Sequence, residues 1–172
     1  KDELVAVDVG GEGAELLSDH LRQRCSLVFM PPETIRQVDR AYAREGDRVG
    51  FADGFPVLVA SLASLADLNT RLDVPVGIDR FRANVVITGG APWAEEAAGR
   101  IRIGAVDFRT PKKCSRCVII STDQHTGAVG KEPLRTLATF RREGNKVNFA
   151  MNAIPELDGV GPFKKFLYIE LP

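Results

Sequence analysis

Lys112-Lys113-Cys114-Ser115-Arg116-Cys117-Val118-Ile119-Ile120 (KKCSRCVII) sets two thiols three positions apart in a basic segment that runs into a β-branched triplet. The C-x-x-C spacing suits several chemistries. A structural zinc site needs four closed ligands, and this pair supplies half of them. Cys25 with His20 or His125 would have to complete it, at no recognised finger or ribbon spacing. A redox dithiol agrees with the neighbouring Arg116 and two lysines, which favour a thiolate. Such pairs, however, open a helix, whereas this one is expected to lead into a strand over 118–120. Both cysteines could instead be small core residues at the strand entrance, and for Cys114 that reading is as good as any other. For Cys117 the basic surroundings favour a thiolate beside an anionic ligand. A soft metal whose other ligands come from a cofactor needs only one such thiolate.

On the N-terminal side of the motif, alternation at Val5, Val7 and Val9 predicts a half-buried strand that Gly10-Gly11 ends. Ala14, Leu17 and Leu21 then share one helical face, with His20 toward solvent. Residues 26–30 read as extended until Pro31-Pro32, and 33–48 fits either a helix or a solvated loop. FPVLVAS (55–61) predicts a buried strand. Ser64 with Asp67 resembles a capping box that opens a helix facing Leu65, Leu68 and Leu72 inward. Phe81, Ala83, Val85 and Ile87 alternate as another strand, and further strands are expected at 101–103 and 105–110.

Beyond the motif, 123–127 has turn chemistry and Pro133 starts a helix with Leu134, Leu137 and Phe140 inward. Val147, Phe149 and Met151 alternate, and 166–171 forms a last apolar strand. Many short strands with about three peripheral helices predict an α+β, mostly β fold, a curled sheet or barrel rather than regular βαβ units. A chain of 172 residues, 44% hydrophobic, is long enough for one domain with its own core. Its 23 basic and 23 acidic side chains cancel, which argues against nucleic acid or an anionic membrane as partner. No apolar run reaches the roughly 20 residues that span a bilayer. With no signal-peptide pattern at KDELVAVDVG and an odd, small number of cysteines, the expected location is the cytoplasm. KDEL stands at the wrong end to act as a retention signal.

Three ordered segments, SLADLNTRL (64–72), DRFRAN (79–84) and KKCSRCVIISTDQHTG with KEPLRTLATFR (112–141), resemble the MOSC domain of molybdenum cofactor binding proteins. The likeness is greatest to the amidoxime-reducing component and its bacterial relatives. It implies a MOSC-type β-barrel that binds a molybdenum-molybdopterin cofactor, with Cys117 as the metal ligand and catalytic anchor. It also implies that Arg82 and Asn84 hold the cofactor's phosphate and pterin side. If Phe81 and Ala83 face the core, Arg82 and Asn84 share the opposite face of that strand. An arginine fork and an amide suit such a ligand. Asp53 and Gly54 occupy the place of a second cofactor-binding turn, where backbone amides would be the donors. Arg116, inside C-x-R-C, is counted with the cofactor-binding residues.

The sequence departs from the family at Ala83, where proline is usual, and at GVGPFKKFLYIELP, which lacks the expected Gly-Asp strand start. The resemblance makes 1–172 a single MOSC-type domain, with 49–172 its core and 1–48 a remnant of, or connection to, a preceding β-rich region. The implied activity is reduction of N-hydroxylated compounds, with electrons from a separate donor of ferredoxin, flavin reductase or cytochrome b5 type. Pyridoxal phosphate is not expected. The alternatives are a sulfur or cofactor carrier with a persulfide on Cys117, and a non-catalytic binding module on the same scaffold.

Overall fold

Residues 3–156 are described in the computed structural model, and the chain divides into two units, Lys1–Gly54 and Phe55–Pro172. In the first unit, strand β1 (Val7–Asp8) pairs antiparallel with β2 (Val28–Phe29), and helix α1 (Gly11–Leu21) lies between them in sequence. The helix ends at Arg22, whose left-handed backbone lets the following amide bond back to Ser18. Its expected apolar stripe is not buried: Leu17 and Leu21 are exposed, as are Val5, Val7 and Val9 of the predicted strand. The segment 33–48 is irregular, with a bridge between Gln37 and Arg48 that encloses Val38 and Val49. His20 is exposed and Cys25 half-buried.

In the second unit, FPVLVAS forms β3 (Val57–Ser61), whose last residue also caps helix α2 (Leu62–Asn69). Ser61 Oγ accepts from the Ala63 and Ser64 amides, so the cap stands three residues before the predicted one. Ser64 is buried and does different work. Its hydroxyl donates to the buried Glu95 carboxylate and accepts from the Trp93 amide. Strand β4 (Val85–Ile87) pairs parallel with β3, and β5 (Arg100–Ile103), β6 (Val106–Ser115) and β8 (Lys146–Glu156) are antiparallel to their neighbours. The sheet order is β4-β3-β8-β6-β5, with the short β7 (Arg142–Glu143) added to β8 after helix α3 (Leu134–Phe140).

This is the expected α+β, mostly β architecture, with three α-helices among the described residues. The sheet path has two ends among the described residues, and the predicted strand at 166–171 lies outside them. Pairing slips twice between β6 and β8. Thr110 and Pro111 form one irregularity, where a proline without an amide hydrogen costs the ladder nothing. At the other, Phe149 and Ala150 of β8 oppose Cys114 alone, and Ala150 takes φ 70°.

Two strand expectations fail beside the site. Ile78–Phe81 is a 3-10 helix that ends in a left-handed residue at Arg82, which breaks the alternation read from Phe81 to Ile87. The motif does not enter a strand. β6 ends at Ser115 and Val118–Ser121 is a 3-10 helix, because only Ile120 of the triplet is buried while Val118 and Ile119 stay exposed. β-branched residues favour a pleated, half-buried surface, and here there is none for two of them.

The core of this unit gathers Leu68, Phe81, Ile120, Leu137 and Phe149, all fully buried. Phe81 and Phe149 stack with ring centroids 3.8 Å apart, and Trp93 meets Phe149 edge-on at 5.7 Å. Phe149→Ala is expected to cost about 3–5 kcal/mol in chemical denaturation. Val118→Ala, at an exposed position, is expected to stay within about 0.5 kcal/mol of wild type.

Candidate functional site

The burial of Phe81 fixes where the exposed residue after it can stand. Arg82 has φ 54° and ψ 42°, and its amide bonds to the Asp79 carbonyl at 3.0 Å. That conformation costs a residue with a side chain about 1–2 kcal/mol, so it persists only because its surroundings determine it. The Arg82 side chain is exposed, and its guanidinium has no hydrogen bond or ion pair among the described residues. Asn84 is differently placed. Its Oδ1 accepts from the Leu58 amide at 2.8 Å and its own amide donates to the Leu58 carbonyl at 3.0 Å, which extends the β3–β4 pairing by one residue. Arg82 and Asn84 therefore do not share a strand face; one projects from a turn and the other is tied to β3 through its carbonyl oxygen.

Cys117 precedes the 3-10 helix Val118–Ser121 with an extended backbone, and its carbonyl accepts from Ile120. Its thiol is exposed and has no hydrogen-bond partner among the described residues. Cys114, half-buried at the end of β6, accepts a hydrogen bond from Arg116 Nη1 at 3.0 Å. The same guanidinium donates through Nη2 to the Phe81 carbonyl at 2.9 Å. One residue thus joins the thiol motif to the residue before Arg82.

A second tie runs in parallel. Arg80 donates to Asp123 at 2.8 Å, across 43 residues of sequence. Asp123 also accepts from the Thr126 amide and hydroxyl and the His125 amide, which folds 123–127 into the expected polar turn. These bonds, the Thr126 amide first, hold its carboxyl below the ordinary carboxylate range, and the Arg80 charge adds to them. Sequence reading found neither Arg80 nor Asp123 as a site residue, although both flank the motifs that carry the resemblance. The signal was an arginine and an aspartate beside two motifs, and only the fold pairs them.

Positive charge near the thiols is partly consumed. Lys113 pairs with Glu96 at 3.2 Å and with Glu143, and the Glu143 bond chiefly pushes the Lys113 ammonium above its usual range. Lys112 lies over the Phe55 ring. Asp53 and Gly54 close the first unit, where Arg36 donates to the carbonyls of Gly50, Ala52 and Asp53 and so shapes that loop. Among the described residues, no group of three or more His, Cys, Asp and Glu side chains is gathered to hold a metal ion, so a closed zinc site has no ligand set there. Chemically, the second unit offers one exposed thiol, Cys117, and a guanidinium without a partner among the described residues, Arg82, on two segments tied together.

A family model for the MOSC domain matches residues 46–157. The chain belongs to the MOSC domain family. It is 39% identical over 145 residues to the mitochondrial amidoxime-reducing component 1 of Mus musculus, which covers 81% of this chain and 42% of the relative. With the Homo sapiens protein of the same name, identity is 41% over 146 residues, covering 81% of this chain and 43% of that one. A molybdenum cofactor sulfurase of Oryza sativa subsp. japonica is 36% identical over 151 residues, 78% of this chain and 18% of its own length. The chain therefore spans less than half the length of these curated relatives.

A molybdenum-bearing, phosphorylated pterin fits the residues present. Among the described residues, an exposed thiol without a competing partner suits a soft metal, and a guanidinium without a partner suits a phosphate.

Acidification tests the second tie. A carboxyl held below its unfolded value stabilises the turn above the ordinary range near about pH 4, and this contribution is lost as pH falls through the lower folded value. Protection of the Thr126 amide, followed by NMR hydrogen exchange, should persist from neutral pH to the ordinary carboxylate range and fade below it. In Asp123→Asn it should be weak at every pH.

Proposed function

We propose that this chain carries the metal-binding part of a molybdenum-cofactor oxidoreductase that reduces N-hydroxylated compounds, with Cys117 as the protein's ligand to molybdenum. The observation that supports it is an exposed thiol and an arginine, both without a side-chain partner among the described residues, on segments joined through Arg116 and Arg80. When bound, the cofactor supplies a two-electron reduction of the N–O bond, drawing electrons from a separate redox protein of ferredoxin, flavin reductase or cytochrome b5 type.

The chain's own residues bind and orient. Cys117 provides the thiolate, and Arg82 presents a planar fork to phosphate, a geometry that lysine lacks. Asn84 has its carbonyl oxygen committed to Leu58, leaving its amide hydrogens as the group that reaches the pterin. Val118 and Ile119, exposed immediately after the thiolate, give the substrate an apolar rim. No helix among the described residues is long and apolar enough to cross a membrane, and a reducing compartment such as the cytoplasm is part of the proposal.

The sulfur-carrier reading draws on the rice sulfurase likeness and on the exposure of Cys117. Both readings are separated by expressing the chain in a host that makes the cofactor, then measuring molybdenum, pterin, sulfane sulfur and hydroxylamine reduction by a reduced dye. Enzyme function predicts molybdenum and pterin in wild type and in Cys114→Ser, with activity in both, and reduction at background in Cys117→Ser. Arg82→Ala should retain cofactor about tenfold less well, as loss of a charge-assisted hydrogen bond implies. Sulfane sulfur on Cys117 without metal would replace this reading with the carrier.

A further inference from the structure

Arg116 stands inside the C-x-R-C motif, yet its guanidinium is turned to the protein's own acceptors. Nη1 donates to Cys114 Sγ at 3.0 Å, Nη2 donates to the Phe81 carbonyl at 2.9 Å, and Cζ lies 5.8 Å from the Phe81 ring centroid. Its Nε is buried and has no partner among the described residues, so the group is withdrawn from solvent as well as bonded. The backbone is held too, because the Arg116 amide donates to the Val147 carbonyl of β8 at 2.7 Å.

We propose that Cys114 and Arg116 form a positioning pair. The Cys114 thiol seats the guanidinium, and the seated guanidinium grips the Phe81 carbonyl so that the left-handed turn at Arg82 stays beside Cys117. The backbone at Arg82 is unfavourable for any residue with a side chain, and its relaxation would move the carbonyl immediately before it. A fork that bonds this carbonyl with one arm and a sulfur with the other opposes that movement. Lysine, with one point charge, cannot serve both acceptors in this geometry. The first thiol of the motif thereby has a role as neither ligand nor redox partner. Its consequence for the cofactor rests on the reading of Cys117 as ligand; the pair itself does not.

The test measures amide exchange residue by residue in the cofactor-free 172-residue chain by NMR. The Arg82 amide, bonded to Asp79, should exchange about tenfold faster in Arg116→Ala, as loss of a charge-assisted hydrogen bond implies. Arg116→Lys should approach the same rate, and Cys114→Ala should fall between. Cys114→Ser keeps an acceptor at this position and should restore most of the protection. The Leu137 amide, bonded to Pro133 in α3, should be unchanged throughout. In cofactor-loaded protein, molybdenum retention should fall in the same order although Cys117 is intact. Unchanged Arg82 exchange in both alanine variants overturns the pair, and so does an equal rise at Leu137, which would mean general destabilisation. If Arg116→Ala does not fold, the contrast between Cys114→Ala and Cys114→Ser decides. Absence of molybdenum from wild type would defeat the proposed function while exchange still decides the positioning pair.

Discussion

The stack of Phe81 on Phe149 is the contact on which the site depends. Both rings are fully buried, and the Phe81 ring is where a short 3-10 helix from one end of the sheet meets the central strand β8. Once that ring is anchored, the chain must turn outward at the next residue, and Arg82 does so in a left-handed conformation. Phe149 sits where β8 carries an extra residue opposite Cys114, with Ala150 at positive φ. A bulge of this kind bends the strand and redirects nearby side chains. The same short stretch of β8 thus supports the aromatic anchor, holds the Arg116 backbone through Val147 and faces the first thiol.

Charge is distributed unevenly around this anchor. Lys113 and Arg141 are matched by Glu96 and Glu143 on one side, with Arg141 also lying over Trp93 at 4.2 Å. Arg80 is matched by Asp123, and Arg116 is directed to a carbonyl and a sulfur. Such pairs fix structure more than they attract ligands, since a compensated charge has little field left to offer. Arg82 lacks a partner among the described residues, and it is the one that the backbone is strained to present. Paired cations hold the segments of this unit together, and Arg82 stands apart from those pairs. A count of basic residues around the motif does not make that separation.

The elements that rest on strong local signals were legible in the sequence. Alternation around Phe149, a serine beside an apolar run at β3 and α2, and Pro133 before Leu134, Leu137 and Phe140 each gave the right element. Failures came where a tertiary contact overrode the local pattern. Ser64 looked like a cap because of Asp67, but the fold spends its hydroxyl on Glu95, and Asp67 accepts from the Trp93 indole. Phe81 to Ile87 alternated like a strand because Phe81 is a core residue, though it enters the core from a 3-10 helix. Asn84 stands in the family motif, yet no local signal foretold its bond to Leu58 across 26 residues. Cys117 and Arg82 are candidates that rest on the motifs carrying the family resemblance. Arg80, Asp123 and the direction of Arg116 depend on partners too distant in sequence for any spacing rule to reach.

The central claim is that the segments around Phe81 and Cys117, joined by a hydrogen bond across 35 residues, form one surface. Its most direct test is a nitroxide attached to Cys117 in a chain with Cys25→Ser and Cys114→Ser, read through the backbone amide signals in NMR. The account predicts that the amides of Arg82, Ala83 and His125 broaden strongly while those of Arg102 and Ile103 in β5 keep more of their intensity. Full intensity at Arg82 with a labelled, folded protein would contradict it.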